Sequence, residues 1–117
     1  MPTLTDRERL KCYLAALANW RYDGFLDFRQ LAKDWLQEQI PNMTLRNFRR
    51  ILFEHVRAGG EVDEVVERRP EWIDLGFHYD LRPDVDGKRL YVESLLKYRD
   101  ADDPDDPIII VVNVHWA

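Results

Sequence analysis

The stretch from Phe77 to Ala117 decides the fold: FHYDLR (77–82), an Asp86-Gly87 pair, KRLYVESLL (88–96), an acidic loop, and IIIVVNVHWA (108–117). The three lettered segments are rich in β-branched and aromatic residues and bounded by turn residues, which is the pattern of consecutive strands. Side chains alternate faces along a strand, so each segment sorts into two rows. One row is apolar: Phe77, Tyr79, Leu81, Leu90, Val92, Leu96, Ile108, Ile110, Val112, Val114 and Trp116. The other collects His78, Asp80, Arg82, Arg89, Tyr91, Glu93, Asn113 and His115. A polar row on a sheet face is either a solvated surface or a site.

The turn fixes the register. Asp-Gly between strands favours a two-residue type I′ turn, which pairs Val85 with Lys88. Paired positions then sum to 173, placing Arg82 opposite Tyr91 and Asp80 opposite Glu93. Like charges directly across a strand pair are destabilising. The Asp80–Glu93 pair therefore needs a neighbouring cation, with Arg82 and Arg89 nearest on that face, or a proton held at raised pKa, or a divalent metal. An antiparallel final strand brings His115 near Arg89 or Tyr91. His115, Tyr91, Arg82 and His78 then form the candidate catalytic patch. Histidine suits proton transfer near neutral pH, arginine clamps phosphate, and tyrosine can donate a proton or stack a base. That set fits RNA cleavage by attack of the 2′-hydroxyl.

Ahead of the strands, the periodicity changes to that of helices. Residues 5–20 read as a first helix, with Thr5 and Glu8 at capping-box spacing and Leu10, Tyr13, Leu14 and Leu17 on one stripe. Tyr22-Asp23-Gly24 signals a turn. A second helix is expected from Leu26 to Gln39, capped by Asp27 and stopped by Pro41, with Phe28, Leu31, Ala32, Trp35 and Leu36 as its apolar face. A third runs from Thr44 to Gly59-Gly60, with Leu45, Phe48, Leu52 and Val56 buried. Residues 61–68 suggest a further strand. The fold class is α+β: about three N-terminal helices (residues 1–60) followed by a four-stranded, mainly antiparallel meander (residues 61–117), in a single domain.

Composition narrows the classes. The 117 residues carry a net charge of -5, unevenly placed: ten Lys/Arg against seven Asp/Glu in residues 1–60, seven against fifteen in 61–117. Overall acidity argues against strong non-specific nucleic-acid binding but leaves room for a basic surface in the first half. The single cysteine, Cys12, excludes an intramolecular disulfide framework and reads as a small packed side chain. No apolar run approaches membrane-spanning length and the first residues lack a hydrophobic signal core, so a cytoplasmic protein without a membrane partner is expected. There is no glycine-rich phosphate loop, zinc-spaced Cys/His set or nucleophile elbow, so no metal or other cofactor is expected. The loop DADDPDDP (100–107) lacks the glycine and terminal glutamate of a calcium loop and reads as a solvated gatekeeper before the apolar last strand.

The order of elements, with GFHYDLR, DGKRLYVE and IIIVVNVH (76–115), resembles the barnase/colicin/RelE-like superfamily of small ribonuclease toxins, nearest its motility quorum-sensing regulator branch. The resemblance covers roughly residues 44–117. It places Tyr91 at the family tyrosine of the middle strand, His115 at the basic residue of the last strand, and His78 or Tyr79 at the polar residue before the aspartate. Glu93 stands where that branch has lysine. The resemblance implies a metal-independent RNA-cleaving toxin paired with an antitoxin protein.

Residues 26–58 also resemble a helix-turn-helix, with IPNM as the turn. On that alternative the chain is a non-enzymatic nucleic-acid- or protein-binding module. Arg46, Arg49 and Arg50, with Arg89 from the sheet half, are the residues expected to contact RNA or DNA phosphates. The basic helix face could equally dock on the acidic half of a second copy, giving a homo-oligomer.

Overall fold

In the computed structural model, residues 6–18, 26–98 and 107–117 are described. The elements, in chain order, are α1 (Asp6–Ala18), β1 (Leu26–Phe28), α2 (Gln30–Gln39), α3 (Leu45–Arg57), β2 (Val62–Val66), a 3-10 turn (Ile73–Leu75), β3 (Phe77–Leu81), β4 (Asp84–Val85), β5 (Lys88–Tyr98) and β6 (Pro107–Trp116). The α+β expectation holds: three helices pack on one face of a sheet ordered β1-β6-β5-β3-β2, with β4 paired to β5. All pairings are antiparallel except β1 with β6.

That parallel pair corrects the second helix. The chain does not start a helix at Leu26. Residues Leu26, Asp27 and Phe28 pair with Ile109, Ile110 and Val111, and the Arg29 amide extends the pairing to the Val111 carbonyl at 2.9 Å. Arg29, not Asp27, is the N-cap residue of α2. Phe28 is drawn into the core, where its ring meets Phe48 edge-on at 5.5 Å. The expected turn at 22–24, the Thr5–Glu8 cap and the loop before Pro107 lie outside the described residues.

The third helix follows its local signals closely. The Asn47 amide donates to Thr44 Oγ1 at 3.0 Å, satisfying one orphan donor of the first turn. At the other end, Gly59 donates to Val56 and Gly60 to His55, the paired bonds of a Schellman stop, with Gly59 at φ 85°. Gly60 is needed for a different reason. A Cβ there would come within 2.5 Å of the His55 carbonyl and also strike the His55 ring. That ring donates from Nε2 to the Glu61 carbonyl at 3.0 Å, as a packed histidine would. Gly60→Ala is expected to cost about 1–3 kcal/mol by overpacking; urea denaturation checks it, and unchanged stability would show that the helix end yields freely.

Tyr13, Leu17, Phe48, Leu52, Leu81, Leu90, Val92, Ile109 and Val111 are fully buried between helices and sheet. Each such side chain removed from water contributes about 1.5–3 kcal/mol. Two residues of the expected stripes stay outside: Leu31 is 75% exposed and Leu45 is 45% exposed.

The last strand departs from a single apolar row. Asn113 pairs with Glu93 but Val111 pairs with Ser94, so Val112 is an extra residue, a β-bulge. The bulge reverses the parity before it. Ile109 and Val111 face the helices, while Ile110 shares the outer face with its partner Leu95. Leu95 and Ile110 are nonetheless buried, and the 3-10 turn of the β2–β3 connection packs against β5.

One polar thread crosses the core. Ser94 Oγ donates to the Tyr79 carbonyl at 2.9 Å, and Tyr13 Oη lies 2.7 Å from Ser94 Oγ. Serine has one hydroxyl proton, already used, so Tyr13 is the donor to Ser94.

Candidate functional site on the outer sheet face

The hairpin register stands as its turn dictates. Asp86 and Gly87 take positive φ (52° and 80°), Val85 pairs with Lys88, and Asp80 pairs with Glu93. On the outer face this produces three rungs across β3, β5 and β6: His78–Leu95–Ile110, Asp80–Glu93–Asn113, and Arg82–Tyr91–His115.

The third rung is an assembled group. Tyr91 pairs with His115, and their rings stack at 4.6 Å with 22° between planes. The Arg82 guanidinium lies 5.5 Å from the centre of the Tyr91 ring. His115 Nδ1 is 2.9 Å from the Trp116 carbonyl. A carbonyl only accepts, so Nδ1 carries the proton and Nε2 of the neutral ring keeps a free lone pair. Arg82 also donates to Asp63 at 2.7 Å, which raises its pKa and leaves other guanidinium donors free. Burial, then the negative charge of Asp80, push the Tyr91 hydroxyl well above the ordinary tyrosine range. A hydrogen bond donated to Asp80 acts in the same direction, so Tyr91 holds its proton and points it at that carboxylate.

His78 stands apart from this rung. It is four residues from Arg82 along β3, about 13 Å at ordinary strand rise. Its Nδ1 donates to Asp80 Oδ1 at 3.1 Å. One phosphate group cannot touch both His78 and His115, so the four candidate residues divide into a group of three and His78.

The cations around Asp80 and Glu93 are only partly those expected. Arg82 pairs with Asp63 while lying in the field of Asp80, and Arg89 lies 3.8 Å from Asp84 on the exposed hairpin. Glu93 is relieved by Arg69, in the β2–β3 connection. Its Nη2 forms ion pairs with Glu93 Oε2 and, at 2.8 Å, with Glu67 Oε2. Glu67 also accepts from the Arg68 and Arg69 amides and from Arg69 Nε, at 2.9–3.1 Å. These bonds, the guanidinium first among them, hold the Glu67 carboxyl down to about 2. Strand parity reveals the need for a cation but not a donor that arrives from a crossing loop. The usable signal is the Glu67-Arg68-Arg69 triplet directly after a strand.

The helical residues are distributed differently from the basic-face expectation. Arg46 and Arg50 are exposed, but Arg49 is buried at 3% exposure. It lies one residue from Phe48 and three from Leu52, inside the covered arc of α3. Moreover α3 packs against α1 and α2 against β6, so the two helices are parts of a layer on the sheet. A shallow concavity of about 370 Å³, with Asn47, Arg50 and Ile51 on one side and Val85 and Asp86 on the other, lies between α3 and the hairpin, away from the three rungs. No helix among the described residues is long and apolar enough to cross a membrane.

No known protein family, no characterised relative and no solved structure matches this chain.

Proposed function

We propose that the chain is a small toxin-like endoribonuclease that cleaves RNA without metal chemistry on the outer sheet face. The supporting observation is the row Arg82–Tyr91–His115, in which a proton acceptor, a neutral donor and a cation stand side by side on adjacent strands. His115 Nε2 takes the proton from a ribose 2′-hydroxyl. The 2′-oxygen then bonds to phosphorus while the bond from phosphorus to the 5′-oxygen breaks. The leaving oxygen takes a proton from water, and the protonated His115 returns its proton to the hydroxide left behind, giving a 2′,3′-cyclic phosphate and a 5′-hydroxyl. Arg82 offers the phosphate oxygens its guanidinium donors beyond the one held by Asp63, and the Tyr91 hydroxyl, turned from Asp80, donates to them as well. In a toxin-antitoxin pair, a protein partner that covers this face would silence it.

His115→Ala is expected to lower cleavage of a single-stranded RNA at least ~100-fold, the usual worth of a general base. Tyr91→Phe should lower it less, by roughly tenfold, with both variants folded and EDTA without effect on the wild type. His115 is exposed, so its loss should move stability by no more than about 0.5 kcal/mol. Intact RNA after incubation with folded wild-type protein, or equal cleavage by His115→Ala, would overturn the reading.

A further inference from the structure

The middle of the same face carries a separate feature. Three carboxylates crowd it: Glu67 and Asp80 are buried, and the Glu93 side chain is 12% exposed. Arg69 binds Glu67 and Glu93, while Asp80 accepts from the His78 ring and the Tyr91 hydroxyl and lies in the field of Arg82. Three carboxylates around a guanidinium that pairs with two of them leave negative charge in excess, in surroundings where unpaired charge is costly. Glu93 Oε2 is enclosed and receives no hydrogen bond of ordinary geometry, being held by charge against Arg69. A ring nitrogen of His78 and one oxygen each of Asp80 and Glu93 converge to within 4.8 Å of one another. His78 Nδ1 and Asp80 Oδ1 are 3.1 Å apart, the spacing of two ligands on one ion with bonds of about 2.0–2.2 Å.

We infer that His78, Asp80 and Glu93 form a binding site for one divalent transition-metal ion of the zinc class. The donor set selects the metal. One imidazole nitrogen with two carboxylate oxygens suits zinc, whereas calcium and magnesium take all-oxygen shells. A carboxylate has two oxygens, so Glu93 can keep Arg69 on one and offer the other, leaving Arg69 and Glu67 to orient the ligand from outside. Binding requires His78 Nδ1 to exchange its proton for the ion. The dication cancels the excess charge and fastens β3 to β5. The site shares Asp80 with the Tyr91 hydroxyl, one rung along the strand. It needs neither His115 nor Arg82, and the proposed cleavage chemistry runs without a metal.

Isothermal titration of zinc chloride into metal-stripped protein tests it. One equivalent should bind saturably and raise the thermal midpoint. His78→Ala and Glu93→Gln, each shown folded by circular dichroism, should weaken binding at least ~10-fold, and His115→Ala should leave it unchanged. Glu93→Gln keeps the side-chain shape if His78→Ala proves unstable. Absence of saturable binding, equal binding by both folded variants, or preference for magnesium or calcium would overturn the assignment.

Discussion

Replacing Arg69 with methionine should destabilise the protein by about 3–5 kcal/mol at pH 7, the usual cost of removing one partner from a buried charge group. That is a large share of the roughly 5–15 kcal/mol that keeps a domain folded. The substitution retains most of the aliphatic bulk but leaves Glu67 and Glu93 without their shared guanidinium. The pH dependence makes the result specific. In the wild type the Glu67 carboxyl is lowered from 4.5 to about 2 on folding. Its contribution, on the order of 3 kcal/mol, is full above the unfolded value and fades as pH falls from about 4.5 towards 2. In Arg69→Met the buried Glu67 carboxyl loses the guanidinium that holds it down, so its folded pKa rises and the variant loses less stability than the wild type as pH falls. The gap between the two proteins should therefore narrow from pH 7 to pH 4. Urea midpoints at both values measure it, and a gap independent of pH would show that Arg69 acts through packing alone.

Phe48→Ala should cost about 3–5 kcal/mol, because it deletes a fully buried ring at the meeting of α3, α1 and the sheet. Its edge contact with Phe28 would also be lost, loosening the parallel strand that starts at Leu26. Leu45→Ala and Leu31→Ala should each change stability by no more than about 0.5 kcal/mol. All three residues belong to apolar stripes of the same periodicity. Guanidinium denaturation of the three variants separates a stripe from the arc of it that is covered; similar losses at Leu45 and Phe48 would contradict the packing.

The same contrast explains how much was legible in the residues. Local chemistry is readable: Thr44, Gly59-Gly60 and Asp86-Gly87 end or turn the chain where their side chains and permitted φ values require, and the hairpin register follows from the turn alone. The Asp80–Glu93 pairing follows from that register, and an antiparallel last strand brings His115 to Arg89 or Tyr91. Features chosen by tertiary competition are not readable. DFRQ reads as a helix start, yet Leu26–Phe28 gains more as a strand because β6 offers it an open edge. IIIVV is apolar at every position, so either parity buries equivalent side chains and nothing in the run announces the bulge at Val112. Arg69 is invisible for a third reason: strand parity says nothing about a loop folding back over the sheet. Arg49 fails as a surface arginine because identity alone does not fix which side of a helix meets its neighbour.

The polar thread from Tyr13 through Ser94 to the Tyr79 carbonyl has a consequence for motion. Ser94 directly follows Glu93, and Tyr79 stands between His78 and Asp80. The helical layer thus grips, from behind, the backbone that displays the carboxylate rung. Freeing that rung requires α1 to lift, so its openings belong to global unfolding. The Arg82–Tyr91–His115 rung lies beyond the thread and can open at lower cost. One face of the sheet therefore holds a slow, clamped half and a fast, yielding half.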